Sequence, residues 1–247
     1  MPAEKSTLIT GGNKGLGYET ARRLAAGHSV YIGARNPVAG QAAADELGAG
    51  FVRLDVTDDE SVTAAAAELE RREGRIDVLI NNAGITGPGK EVPDLTGADA
   101  SVVFDTNVAG IVRVTHAFLP LLGKSPAPVI VNVSSGVGSF AVTHDPARLE
   151  SGVRSPLYAA SKAAITMLTT QYAKALPHIR INAPTPGSPR PTSTATGAPR
   201  PSPRAPTPSP RWPASARTAP PAPSPTATAP SAGSRRQISL TTRARAC

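Results

Sequence analysis

Short apolar, β-branched runs alternate with stretches of helical spacing along most of the chain, and this rhythm limits what it can fold into. The runs are Thr7–Thr10, Ser29–Ala34, Phe51–Asp55, Ile76–Ile80, Val129–Val133 and the start of another at Ile179–Asn182. Between them, Glu19–Ala26 (with Gly27 as a stop), Ala42–Leu47, Ser61–Arg72 and Leu157–Leu176 read as helices, and Ala98–Leu119 as one long helix or two joined. Strands that alternate with helices imply parallel βαβ units with right-handed crossovers. Strands that are apolar throughout suit a sheet covered on both faces. No internal repeat is present.

Composition divides the chain where the rhythm stops. The whole has 247 residues, 26 prolines and a net charge of +8. Residues 184–247 hold 16 of those prolines and nine arginines, with no Lys, Asp or Glu. The preceding 183 residues carry 17 basic and 18 acidic side chains, a net charge of −1. The basic excess of a globular nucleic-acid binder is therefore missing from the part that can fold. A lone Cys247 excludes an internal disulfide framework and a cysteine metal site. His28, His116, His144 and His178 lack ligand spacing, so no metal is expected. No signal peptide is evident and no apolar run approaches the roughly 18–20 residues of a membrane span, so the expected location is the cytoplasm.

The first βα turn is Thr10-Gly11-Gly12-Asn13-Lys14-Gly15-Leu16-Gly17. Glycines permit a tight turn and close approach of a diphosphate, and the helix N-terminus behind them offers free N–H groups. The spacing is Gly-x-x-x-Gly-x-Gly, unlike the common dinucleotide fingerprint. The second strand ends in Gly33-Ala34-Arg35, where a dinucleotide would place its adenosine ribose. An acidic residue there suits a free 2′-hydroxyl and an Arg suits a 2′-phosphate. Arg35 with Lys14 thus favours NADP, as NADPH, over NAD. Asp55, followed by Val56, is placed either to accept from an adenine amino group or to cap the next turn. Asn81-Asn82-Ala83-Gly84 closes the fourth strand with small residues that let a ligand lie against backbone.

The fifth strand ends in Ser134-Ser135-Gly136, and Tyr158-Ala159-Ala160-Ser161-Lys162 follows. Tyr and Lys at i and i+4 share a helix face. A free phenol has a pKa near about 10, and a neighbouring ammonium lowers it. The phenol can then exchange a proton with a substrate oxygen near neutral pH.

Taken in order, TGGNKGLG (10–17), GAR (33–35), LDVTD (54–58), NNAG (81–84), Asn107, VNVSS (131–135), YAASK (158–162) and RINAPTPG (180–187) resemble the short-chain dehydrogenase/reductase family, in its NADP-dependent, carbonyl-reductase-like branch. The resemblance covers about residues 6–187. It implies an α/β fold with a Rossmann-type doubly wound parallel sheet. It also implies hydride transfer between nicotinamide and a carbonyl or secondary-alcohol carbon of a small molecule. Carried over by position, Tyr158 is the general acid/base. Lys162 lowers its pKa and holds the nicotinamide ribose. Ser135 orients the substrate carbonyl, and Asn107 positions a water that relays protons towards Lys162. The implied cofactor contacts are Gly11, Asn13, Lys14, Gly15, Leu16, Gly17, Arg35, Asp55, Val56, Asn82, Ala83, Gly84, Tyr158, Lys162, Pro186 and Gly187. Residues 136–157 read as a variable insertion near the active-site mouth, and a homo-oligomer is typical of the family.

Beyond Gly187 the resemblance ends. A domain over 1–187 and a disordered low-complexity tail over 188–247 are expected, the tail replacing the family's last helix and strand. Of residues 184–247, 61 are types whose codons have C or G in the middle. A GC-rich gene read out of frame gives this composition, so a frameshift near residue 188 is expected, and poor turnover from the chain as written. The competing reading is a non-catalytic nucleotide-binding protein whose basic tail recruits an anionic partner such as nucleic acid. Four catalytic residue types in order argue against it.

Overall fold

The computed structural model describes residues 5–185. The expectations for the tail, and for Pro186 and Gly187, therefore lie outside the described residues. Six strands form one sheet: β1 (Lys5–Thr10), β2 (His28–Ala34), β3 (Gly50–Arg53), β4 (Val78–Asn81), β5 (Val129–Asn132) and β6 (Arg180–Asn182). Their order is β3-β2-β1-β4-β5-β6, and every ladder is parallel. The chain winds outward in one direction from β1 to β3 and in the other from β4 to β6. The crevice at the C-terminal ends of β1 and β4, where the winding reverses, is where such sheets bind ligands.

The helices are α1 (Gly15–Leu24), α2 (Pro37–Leu47), α3 (Asp59–Glu73), α4 (Gly97–Phe104), α5 (Gly110–Leu122), α6 (Phe140–Thr143) and α7 (Pro156–Ala175). A π-helical turn, Asp105–Ala109, joins α4 to α5. Helix starts come earlier than the apolar spacing suggests, because caps set them. Asn36 accepts from the Ala39 N–H at 3.0 Å, and Pro37 suits the first helical position, where no N–H is needed. Asp58 accepts from the Glu60 and Ser61 N–H groups at 2.9 and 3.2 Å and starts α3. Helix α1 ends at Leu24, ahead of Gly27, whose N–H bonds the Leu24 carbonyl.

Successive strand residues face opposite sides, so each strand feeds two cores. Leu8, Val52, Leu79 and Ile130 pack with Val62, Leu69, Val114 and Phe118 of α3 and α5. Ile9, Ile32 and Ile80 pack with Ala21 of α1 and Ala43 and Ala44 of α2. Both faces are covered, as expected for a doubly wound, Rossmann-type α/β fold.

One expectation needs correcting. The run Gly97–Leu122 spans 26 residues and, by length and composition, is apolar enough to cross a membrane. Its apolar character serves the core: Val103, Ile111, Val114, Phe118, Leu121 and Leu122 are buried against the rest of the fold.

Candidate active site

The first βα turn builds a close backbone crossing. Gly11 and Gly15 hold φ of 64° and 58°, the left-handed region that glycine adopts without strain. Thr10 Oγ1 accepts from the Asn82 and Ala83 N–H groups at 3.0 Å each. The Asn82 amide donates in return to the Thr10 and Gly11 carbonyls at 3.0 and 3.2 Å. This clamp joins the ends of β1 and β4. Gly17 packs behind it, where a Cβ would stand 2.4 Å from Asn82 Nδ2 and 2.6 Å from the Gly11 oxygen.

In front of the clamp lies a cleft of about 410 Å³. Gly11, Asn13, Lys14 and Gly15 border one side, Arg35, Asp55 and Val56 the far end, and Asn82, Ala83 and Gly84 the other side. Ala34, Leu54, Thr57, Ile85 and Thr106 also border it. These were not singled out in the sequence, although most adjoin a motif residue. Of the expected cofactor residues, Leu16 points to solvent at 47% exposure. Gly17, Tyr158 and Lys162 do not border this cleft.

Lys14 and Arg35 are exposed and form no ion pair among the described residues. The Asp55 carboxylate accepts from its own turn, the Thr57 N–H at 3.0 Å and the Thr57 hydroxyl at 2.8 Å. Burial pushes its pKa up, but these bonds and the charges of Arg35 and Arg53 outweigh it and hold the carboxyl below its usual value. Asp55 therefore caps the turn and also borders the cleft.

The second group of residues gathers where β5 meets α7. Lys162 is only 4% exposed. Its Nζ donates to the Val133 carbonyl at 2.7 Å and lies 5.4 Å from the centre of the Tyr158 ring. Burial lowers its pKa to about 8. The two serines divide their work. Ser134 is buried, donates to the Lys162 carbonyl at 3.2 Å and shares a 3.0 Å bond with the Thr166 hydroxyl. Ser135 is half-buried and its hydroxyl has no partner among the described residues. A Cβ on Gly138 would stand 2.6 Å from the Lys162 carbonyl carbon, so glycine there lets the turn after Ser135 press against α7.

Asn107 sits in the π turn and is 1% exposed. Its Oδ1 accepts from the Ile85 N–H at 2.8 Å. Its Nδ2 donates to the Ile85 carbonyl at 2.8 Å and to Ser161 Oγ at 2.9 Å. Ser161 passes the contact on, donating to the Tyr158 carbonyl at 2.7 Å. The carboxamide thus braces the cleft wall and the first turn of α7, and makes no hydrogen bond to Lys162. A separate recess of about 540 Å³ lies between Thr86–Pro93 and the segment Arg154–Leu157 that leads into Tyr158.

The family model described as "short chain dehydrogenase" matches residues 5–201. A short-chain dehydrogenase/reductase of Aspergillus fumigatus is 36% identical over 178 residues, 68% of this chain and 67% of that one. The (−)-isopiperitenone reductase of Mentha piperita is 31% identical, over 74% of this chain and 84% of its own. Among solved structures, the Pseudomonas aeruginosa RhlG/NADP active-site complex aligns with a TM-score of 0.68 and 28% identity, covering 75% of this chain and 73% of its own. An actinorhodin polyketide ketoreductase with NADPH aligns at 0.66 and 30%, covering 74% and 70%. With its sheet order, its glycine-lined cleft and a family match over most of its length, the chain belongs to the short chain dehydrogenase family of oxidoreductases, which bind a nicotinamide cofactor.

Proposed function

We propose that this chain is an NADP(H)-dependent oxidoreductase that interconverts a carbonyl and a secondary alcohol on a small molecule. The observation that carries the reading is the buried Lys162 ammonium beside the Tyr158 ring, with the Ser135 hydroxyl, unpartnered among the described residues, on the adjoining turn. The cleft fits a dinucleotide. Gly11 and Gly15 border it with left-handed backbone and no side chain, the N-terminus of α1 begins there, and Gly17 leaves no room for a side chain behind them.

When bound, the nicotinamide supplies or accepts the hydride. Ser135 hydrogen-bonds the substrate oxygen. Tyr158 gives that oxygen a proton in the reductive direction and takes it back in the oxidative one. The Lys162 ammonium stands 5.4 Å from the centre of that ring, beside the group that moves the proton. Asn107 keeps α7 and Ile85 in register through Ser161. Lys14 and Arg35 supply the two cations that a 2′-phosphate needs, the Arg as a planar fork and the Lys as a point charge.

The test is titration of the full chain with NADPH and NADH. NADPH is expected to bind at least about tenfold more tightly, and R35D to reverse the preference. Equal affinities in the unaltered chain would overturn the NADP assignment, and no binding of either would overturn the enzyme reading. The frameshift reading of residues 188–247 has its own test: an adjacent reading frame that encodes no helix and strand would refute it.

A further inference from the structure

One side chain on α5 ties together segments that border the cleft at its two ends. Arg113 is 23% exposed and reaches three segments. One terminal nitrogen donates to the Val56 carbonyl at 3.3 Å and the Asp105 carbonyl at 3.4 Å. The other donates to Asp105 Oδ1 at 2.6 Å, and Nε lies 3.3 Å from Asp59 Oδ1. Gly110, a turn earlier, lets α5 press on the same strand end: a Cβ there would stand 3.0 Å from Val56 Cβ.

Val56 and Thr57 border the end of the cleft beside Arg35. Asp105 opens the π turn that carries Asn107. Asn107 holds Ile85 by both backbone groups and reaches the Tyr158 carbonyl through Ser161. From Val56 to Tyr158 the contacts therefore run without a break. A π turn inside an α-helix is rare and marks functional positions. Only a planar guanidinium offers donors in enough directions to hold two carbonyls and a carboxylate together; an ammonium lacks that fork.

We propose that Arg113 is a positioning residue that fixes the adenine-side wall at Val56 relative to the π turn, so that seating the adenine half of the cofactor and placing Tyr158 are coupled. The proposal rests on the dinucleotide reading above. It assigns Arg113 no contact with substrate or cofactor. Its action passes through Val56 on one side and through Asp105, Asn107 and Ser161 on the other.

The experiment measures amide hydrogen exchange and nucleotide binding in the full chain, in R113K and in R113M. Adenosine 2′,5′-bisphosphate, which has no nicotinamide, is expected to slow exchange at residues 55–58 and also at 105–109 in the unaltered chain. In R113M the slowing persists at 55–58 and disappears at 105–109, and the NADPH Kd rises about tenfold, within the usual range of coupling between sites. R113K falls between the two. Undiminished slowing at 105–109 in R113M, or an NADPH Kd within about twofold of the unaltered value, overturns the proposal. If the unaltered chain binds neither nucleotide, the dinucleotide reading has failed, and Arg113 is judged on the free protein. There R113M is expected to speed exchange at 55–58 and 105–109 together, and unchanged exchange at either segment overturns it.

Discussion

Lys162 Nζ lies 5.4 Å from the centre of the Tyr158 ring, and its one hydrogen bond among the described residues goes to the Val133 carbonyl. An ammonium so buried keeps its charge at neutral pH at a cost, which appears as a pKa lowered by burial from 10.5 to about 8. Between about pH 8 and 10.5 the unfolded chain binds more protons at this site than the folded chain does. Stability contributed here therefore rises with pH across that window. K162M is expected to remove this rise while lowering turnover by about 10²- to 10⁴-fold, as is Y158F, because each removes part of the proton exchange. Urea midpoints at several pH values between 7.5 and 10.5 check the first effect. Parallel profiles for K162M and the unaltered chain would refute the burial argument.

Ser134 and Ser135 are neighbours with opposite environments. Ser134 is tied to the Lys162 carbonyl and to Thr166, whereas the Ser135 hydroxyl has no partner among the described residues. S135A is expected to reduce turnover by about tenfold or more and leave the melting temperature unchanged, since it removes a bond made only to substrate. S134A is expected to lower the melting temperature by about 2–4 °C, the effect of roughly 1 kcal/mol in a domain of this size. Turnover assays and thermal melts on both variants decide it. A drop in melting temperature for S135A equal to that of S134A would count against the division.

The strands were legible because each is a continuous apolar, β-branched run, and the structure keeps all six. Helix starts were less so, since Asn36 and Asp58 act through capping bonds that leave no mark on apolar spacing. The π turn was invisible: Asp105–Ala109 continues an ordinary helical pattern, and the bonds that Asn107 sends from it to Ile85 and Ser161 leave no trace in that pattern. At the site, motif order brought out most residues bordering the cleft. It did not show that the Asn107 side chain is spent on Ile85 and Ser161, or that Asn82 is spent on the Thr10 and Gly11 carbonyls. Such bonds join residues about 20 to 70 positions apart, and only the fold brings them together.

Among the glycines of the first βα turn and the start of α1, Gly17 is the tightest. An added methyl would stand 2.4 Å from Asn82 Nδ2 and 2.6 Å from the Gly11 oxygen, breaking the bond between those two groups or displacing α1. G17A is expected to cost about 1–3 kcal/mol of stability, the usual range for overpacking. It should also weaken NADPH binding, because the Gly11 backbone moves with the clamp. G15A is the comparison: it meets no atom within 4 Å but sits at φ 58°, so its cost is conformational and smaller, about 1 kcal/mol. Denaturant midpoints and NADPH titrations of both variants test this. A G17A protein as stable as G15A would refute the steric reading.

Asp77 tests the opposite end of the sheet. It is 4% exposed and precedes β4. One oxygen accepts from the Ser6 N–H at 3.0 Å and the other from the Ser125 hydroxyl, while Arg75 Nε lies 3.2 Å from both. Burial pushes the carboxyl pKa up, but the bonds from Ser125 and Ser6 and the Arg75 contact outweigh it, and the net value lies below the usual one. A lowered carboxylate pKa contributes stability that is present above the unfolded value near about 3.9 and lost as pH falls through the folded one. D77N should therefore destabilise the chain at pH 7 by about 2–4 kcal/mol, since it leaves Arg75 and two donors without their carboxylate. The deficit relative to the unaltered chain should begin to shrink once pH falls below the unfolded value near about 3.9, and go on shrinking until the native carboxylate is protonated too. Because Asp77 stands at the N-terminal edge of the sheet and the cleft at the C-terminal one, NADPH affinity should be unchanged at pH 7. Denaturant midpoints at pH 7 and pH 3, with one NADPH titration, separate these outcomes; a deficit of the same size at both pH values would show that the carboxylate charge plays no part.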